Sequence, residues 1–84
     1  MLERDLQVNS MGLHAQASAR VVQALTGFRS QVFLVAKGRE VNAKSIMGVM
    51  LLAAGPGTTI KARVNGDDEE AAMAALIALF ESDL

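Results

Sequence analysis

The chain has 84 residues, of which 51% are hydrophobic, with three Phe, no Trp or Tyr, no Cys, a single His and a net charge of −1. That is enough for one domain, read as spanning 1–84, with an aliphatic core, and it excludes a disulfide framework, thiolate or histidine-cluster metal sites and a strongly basic nucleic-acid surface. No apolar run reaches the length of a membrane span, and Met1-Leu2-Glu3-Arg4-Asp5 is too charged for a secretory leader, so a soluble cytoplasmic protein with no membrane insertion is expected.

Residues 3–9 alternate, with Leu6 and Val8 apolar against Asp5, Gln7 and Asn9, which is the period of a half-buried strand. Ser10-Met11-Gly12 reads as a loop. From Ala15 to Thr26, Ser18, Val22 and Leu25 recur at helical spacing with Val21 beside them, predicting a helix of about three turns. Gly27 stands where a left-handed C-terminal residue is expected. Gln31–Ala36 is rich in β-formers, Lys37-Gly38 is a turn, and Arg39–Asn42 pairs back as a hairpin. Residues 45–52 predict a short helix with Ser45 at its N-cap, ended by Gly55-Pro56-Gly57.

Residues 58–64 alternate again, with Ile60, Ala62 and Val64 on one face, and Asn65-Gly66 turns the chain. Asp67 and Glu70 have the spacing of a capping box, and Asp67-Asp68-Glu69-Glu70 sets four acids at a helix N-terminus, where the macrodipole favours them. Ala72, Met73, Leu76, Leu79 and Phe80 form the buried stripe of a last helix. The order β-α-β-β-α-β-α predicts an α+β open-faced sandwich: a four-stranded antiparallel sheet, wet on one face and covered by three helices on the other.

Two segments could carry chemistry. Gly12-Leu13-His14-Ala15-Gln16 places the histidine where a loop enters the first helix. There it borders N–H groups without intrahelical partners and the positive end of the dipole, which together favour an anion. A neutral imidazole nitrogen is a nucleophile, so the position offers an attacking atom beside a cradle for the anion it would gain. The same spacing fits a histidine that only caps the helix or lies on the surface. The second segment is 42–52, whose helix carries no charge and is apolar nearly all round. It is either an over-apolar core helix or a partner surface that exposes Met47, Met50 or both. Ser45 reads as an N-cap, and as a phosphorylation site it would put a dianion at a helix start.

These two segments carry a resemblance to the HPr family, the histidine-containing phosphocarriers of the phosphoenolpyruvate-dependent phosphotransferase system. Gly12-Leu13-His14-Ala15 is similar to the family motif Gly-Leu-His-Ala-Arg-Pro-Ala, and NAKSIMGVM at 42–50 is similar to its second signature. The resemblance covers nearly the whole chain. It implies that His14 takes a phosphoryl group on Nδ1 from enzyme I and passes it to sugar-specific IIA proteins or to regulatory acceptors. It implies that Ser45 is the regulatory serine addressed by HPr kinase/phosphorylase. It also implies a partner surface of Ile46, Met47, Met50 and Leu51, with Ala19 and Gln23 from the first helix. No cofactor or metal is called for, a monomer is expected, and the chain would be a carrier rather than a free-standing enzyme.

Three positions depart from the motif: Gln16 stands where Arg is usual, Ala17 where many members have Pro, and Ser18 where Ala follows. Gln16 and Ala17 would line the phosphate cradle at the helix mouth. Gln16 can donate a hydrogen bond but brings no charge, and a unit charge at ~4 Å is worth roughly 1 kcal/mol in water and about 4 at an effective dielectric of 20. Arg20, further along the helix, is a candidate substitute. The alternative reading is a regulatory protein-binding module that acts through 45–52 with Ser45 phosphorylation as its switch.

Overall fold

Strand alternation decides which way the sheet faces. The computed structural model describes residues 1–8, 12–52 and 54–82, and so leaves Asn9, Ser10 and Met11 of the expected strand end and loop outside the described residues. Its elements are β1 (Leu2–Gln7), α1 (Ala15–Thr26), β2 (Gln31–Ala36), β3 (Arg39–Asn42), α2 (Ile46–Leu51), β4 (Thr59–Asn65) and α3 (Glu69–Glu81). The strands form one sheet in the order β1-β4-β2-β3, every pair antiparallel. From β4, Ile60, Ala62 and Val64 point inward. They stand in register with Leu6 and Leu2 on one side and with Leu34 and Val32 on the other, and all but Leu2 are buried. The opposite face is wet. There Arg63 lies level with Glu3 and Phe33 and forms ion pairs with Glu3 (3.1 Å) and Glu40 (3.3 Å), exposed contacts worth little to stability.

The three helices cover the inward face, as the α+β reading expects. α1 contributes Ala17, Ser18, Val21 and Leu25 to the core, α2 contributes Val49, and α3 contributes Ala72, Met73, Leu76 and Phe80. Val22 and Leu79, expected on the buried lines, are only half-buried. At Lys37 and Gly38 two consecutive positive φ angles, 53° and 76°, make the tight hairpin turn that matches strand twist.

Two expected caps are absent. Gly27 is right-handed (φ −77°, ψ −7°). The last turn of α1 closes instead with Phe28 N–H on the Leu25 carbonyl at 3.0 Å, so no left-handed residue is required. The Asp67–Glu70 box does not form either, because α3 begins at Glu69 with Asp68 in the N-cap position and no side-chain cap. The Asp68 carboxylate is drawn away by three better-placed donors: Arg29 N–H at 2.8 Å, Ser30 N–H at 2.9 Å and the Ser30 hydroxyl at 2.5 Å. Glu69 accepts from Gly66 N–H at 3.1 Å. Gly66 presses so close to Ser30 that a Cβ there would lie 2.6 Å from Ser30 Cα, which accounts for the glycine.

The Ser30 hydroxyl, followed by Arg29 N–H, holds the Asp68 carboxyl down at about 2, against an ordinary value of 3.8. A folded-state pKa below the unfolded one means stability that is fully present above the unfolded value and lost as pH falls through the folded value. The thermal midpoint should therefore drop between pH 4 and pH 2. Asp68→Asn should lower the midpoint at pH 7 and make the acid slope shallower. It should not make it flat, because Gly66 N–H also holds Glu69 below its usual range. An unchanged slope would contradict the assignment.

Ser18 Oγ is fully buried and has no hydrogen-bond partner among the described residues. Ser18→Ala should be neutral or stabilising by up to about 1 kcal/mol in urea unfolding, because it removes an unmet desolvation cost. A loss of stability would show that the hydroxyl is bonded.

Candidate functional site

Leu13 and Gly12 determine where His14 stands. Leu13 is buried, and its N–H donates to the Ala54 carbonyl at 2.9 Å. Gly12 is left-handed (φ +73°) and so close to the same segment that a Cβ would lie 3.3 Å from that carbonyl oxygen. With the preceding side chain sunk in the core, the next one is turned outward. His14 is exposed and extended (φ −89°, ψ −174°), and it is the N-cap residue of α1, but its ring makes no capping hydrogen bond. Its carbonyl accepts Ser18 N–H at 2.8 Å, the first bond of the helix.

The N–H groups of Ala15, Gln16 and Ala17 therefore have no intrahelical acceptor, and no acidic side chain occupies the first turn. As the N-cap residue, His14 carries its imidazole at the same helix end as these donors. Of the expected cradle residues, Gln16 is exposed, whereas the Ala17 side chain is buried and only its backbone can face the helix mouth. Arg20 is exposed on α1.

The structure shows that the helix of the second candidate segment is not a core helix. α2 has six residues, and Val49 is the side chain it buries. Met47 is 73% exposed, Leu51 59%, and Ile46 and Met50 43% each. Both methionines are thus on the surface, within one contiguous apolar patch. The helix is short but well fixed. Ser45 Oγ accepts Gly48 N–H at 3.1 Å, a cap worth about 1 kcal/mol. Asn42 Oδ1 accepts Lys44 N–H at 2.8 Å, Lys44 Nζ donates to the Phe28 carbonyl at 2.6 Å, and Arg39 Nη1 donates to the Leu51 carbonyl at 2.5 Å. A Cβ on Gly48 would meet the Asn42 carbonyl oxygen at 3.2 Å, so a side chain there would need that neighbour to give by a few tenths of an ångström.

α1 packs against α2, so His14 and the patch belong to one helical layer, with Gln23 exposed and Ala19 half-buried on α1. This layer is open. A groove of about 460 Å³ lies between β1 and α3, lined by Leu6, Val8, Ile77 and Phe80, and His14 takes no part in it. An exposed side chain outside that groove suits a group that another protein brings to it, not one enclosed in a pocket. Sequence reading missed the part played by Ala54. Gly55-Pro56-Gly57 was legible as a helix breaker, but nothing local tells that the preceding carbonyl holds Leu13.

The family model described as PTS HPr component phosphorylation site matches residues 3–82. The chain is 59% identical over 83 residues to the phosphocarrier protein HPr of Xylella fastidiosa, covering 98% of this chain and 93% of that one. It is 45% identical over 84 residues to the HPr-like protein Crh of Halalkalibacterium halodurans, covering 99% of this chain and all of the relative. Among solved structures, HPr from Thermoanaerobacter tengcongensis superposes with a TM-score of 0.93 at 43% identity, covering 99% of this chain and 94% of that one.

Proposed function

The chain belongs to the HPr family, the phosphocarriers of the phosphotransferase system, and from that premise we propose that His14 accepts a phosphoryl group from enzyme I and donates it to IIA proteins or regulatory acceptors. The observation that carries this reading is an exposed imidazole at the N-cap of α1, beside three first-turn N–H groups that lack intrahelical acceptors. In the forward step the Nδ1 lone pair attacks phosphorus as the bond to the carrier atom of enzyme I breaks. The new N–P bond leaves the phosphoryl oxygens next to the helix mouth, where N–H groups and the dipole stabilise negative charge. In the second step an acceptor nucleophile displaces His14 by the same chemistry.

Ile46, Met47, Met50 and Leu51, with Gln23 and Ala19, form the surface on which donor and acceptors dock in turn. Flexible, polarizable methionines suit a face that must fit several partners. The chain works in the cytoplasm as a monomeric carrier regenerated by its partners, without cofactor or metal, and is not itself a free-standing enzyme. Gln16 supplies a neutral donor where a guanidinium would supply charge. Ser45 is the regulatory position for HPr kinase/phosphorylase. A phosphate there keeps acceptor oxygens at the start of α2 and adds charge to the rim of an otherwise apolar face.

A second reading is favoured by Gln16 and by the likeness to an HPr-like protein Crh: a regulatory module that acts through 45–52 with little phosphoryl flux. The two separate at His14→Ala, which ends the carrier role and leaves the regulatory one.

Incubation with enzyme I and phosphoenolpyruvate, read by intact mass, should add one acid-labile phosphoryl group to the wild-type chain and none to His14→Ala. A wild-type chain that stays unmodified would remove the carrier reading. Gln16→Arg should raise the transfer rate roughly tenfold by placing a charge on the phosphoryl oxygens. An equal rate would show that the amide donors suffice.

A further inference from the structure

We propose that the tight turn Gly55-Pro56-Gly57-Thr58, between α2 and β4, fixes His14 relative to the docking helix, with Pro56 and Gly57 as positioning residues for phosphoryl transfer; this rests on the carrier reading above. Thr58 N–H donates to the Gly55 carbonyl at 3.2 Å, and Gly57 has φ +81°. Proline second and a left-handed glycine third is the signature of a type II turn, whose shape is set before any neighbour touches it.

The turn is tied to the chain at Val8 and again at the residues just before His14. Gly57 N–H donates to the Val8 carbonyl at 2.9 Å, and Val8 N–H donates to the Thr58 carbonyl at 2.8 Å. On the other flank Leu13 N–H reaches the Ala54 carbonyl at 2.9 Å. Gly12 lies against the turn itself, where a Cβ would sit 3.4 Å from Pro56 Cδ and 3.5 Å from Gly55 Cα. The residue before His14 is thus bonded to the segment that opens this turn, and the residue before that one packs on the turn's proline. Ala54 is two residues beyond Leu52, the C-cap of α2, so the segment bonded to Leu13 follows the docking helix directly in the chain. A partner seated on Met50 and Leu51 meets the imidazole at a place this backbone sets.

Transfer between two docked proteins depends chiefly on such placement. A loosened turn should therefore cost turnover and leave docking intact. Gly57 permits a clean test, because a Cβ there meets nothing within 4 Å. Gly57→Asn and Gly57→Val both add a side chain in open space, and they differ in tolerance of positive φ, which asparagine accepts and β-branched valine resists. With phosphorylated enzyme I as donor, Gly57→Asn should keep kcat within about twofold of wild type, and Gly57→Val should lower kcat about tenfold with KM for the chain unchanged. Equal kcat for the two variants, or a rise in KM with kcat unchanged, would overturn the proposal.

Amide hydrogen exchange on the unaltered chain gives a test that needs no variant to fold. Leu13 N–H should be protected to the degree of Ile60 N–H in β4, and exchange as fast as an exposed loop amide would equally overturn the proposal. An unaltered chain that takes no phosphoryl group, with Leu13 protected, would sink the carrier reading and this role with it. A competent chain with an unprotected Leu13 sinks only the role of the turn.

Discussion

The hydrogen bond from Leu13 N–H to the Ala54 carbonyl, made where the Leu13 side chain enters the core, is the contact on which the candidate site depends. It fixes the backbone one residue before His14. It also lets a left-handed Gly12 fold the chain against the 54–56 segment, and it leaves α1 to begin immediately afterwards. A histidine one position earlier would be buried. One position later its backbone would already be helical. The exposure of His14 thus follows from the burial of its neighbour.

The same economy shapes the rest of the domain. A chain of 84 residues has little surface to hide, and most of its apolar content goes into one layer between sheet and helices. α2 is the exception: it buries Val49 and leaves four large apolar side chains in water. Fully burying an exposed side chain of this size is worth roughly 1.5–3 kcal/mol; Met47 and Leu51 forgo more than half of that, and Ile46 and Met50, at 43% exposure, somewhat less. Polar contacts hold the helix in place of core packing, with Ser45 at its start, Arg39 on its last carbonyl and Lys44 tying its approach to Phe28. A helix secured from its ends can keep its sides free for a partner.

Where sequence reading succeeded, the signal was local or periodic. The bounds of α1, β2 and β3, the Lys37-Gly38 turn and the Ser45 cap follow from alternation, helical spacing and residue types whose backbone preferences are strong. The failures have two causes. Gly27 carries the local mark of a left-handed cap, yet a bond from Phe28 N–H to the Leu25 carbonyl closes the helix without one. The Asp67–Glu70 spacing was overridden by groups distant in sequence: Arg29 and Ser30 claim the Asp68 carboxylate across 39 and 38 residues. The candidate site divides the same way. That His14 starts a helix was legible from its neighbours, and the tie from Leu13 to Ala54 was not, because any residue offers a carbonyl.

Gln16 bears on how a carrier of this kind would work. Nothing in the described first turn of α1 is charged: it has no acid to repel an anion and no guanidinium to grip one. A phosphoryl group on His14 would then be stabilised mainly by neutral N–H donors and the helix dipole, a field weaker than a paired cation supplies. For an enzyme binding a substrate that would be a defect. For a carrier it is closer to a balance, because whatever stabilises the phosphorylated form also opposes its discharge to the next protein. On the carrier reading, a site built from amides would hold the group loosely and leave the arriving partner to supply the remaining charge, so that neither loading nor discharge would be strongly opposed by the carrier itself.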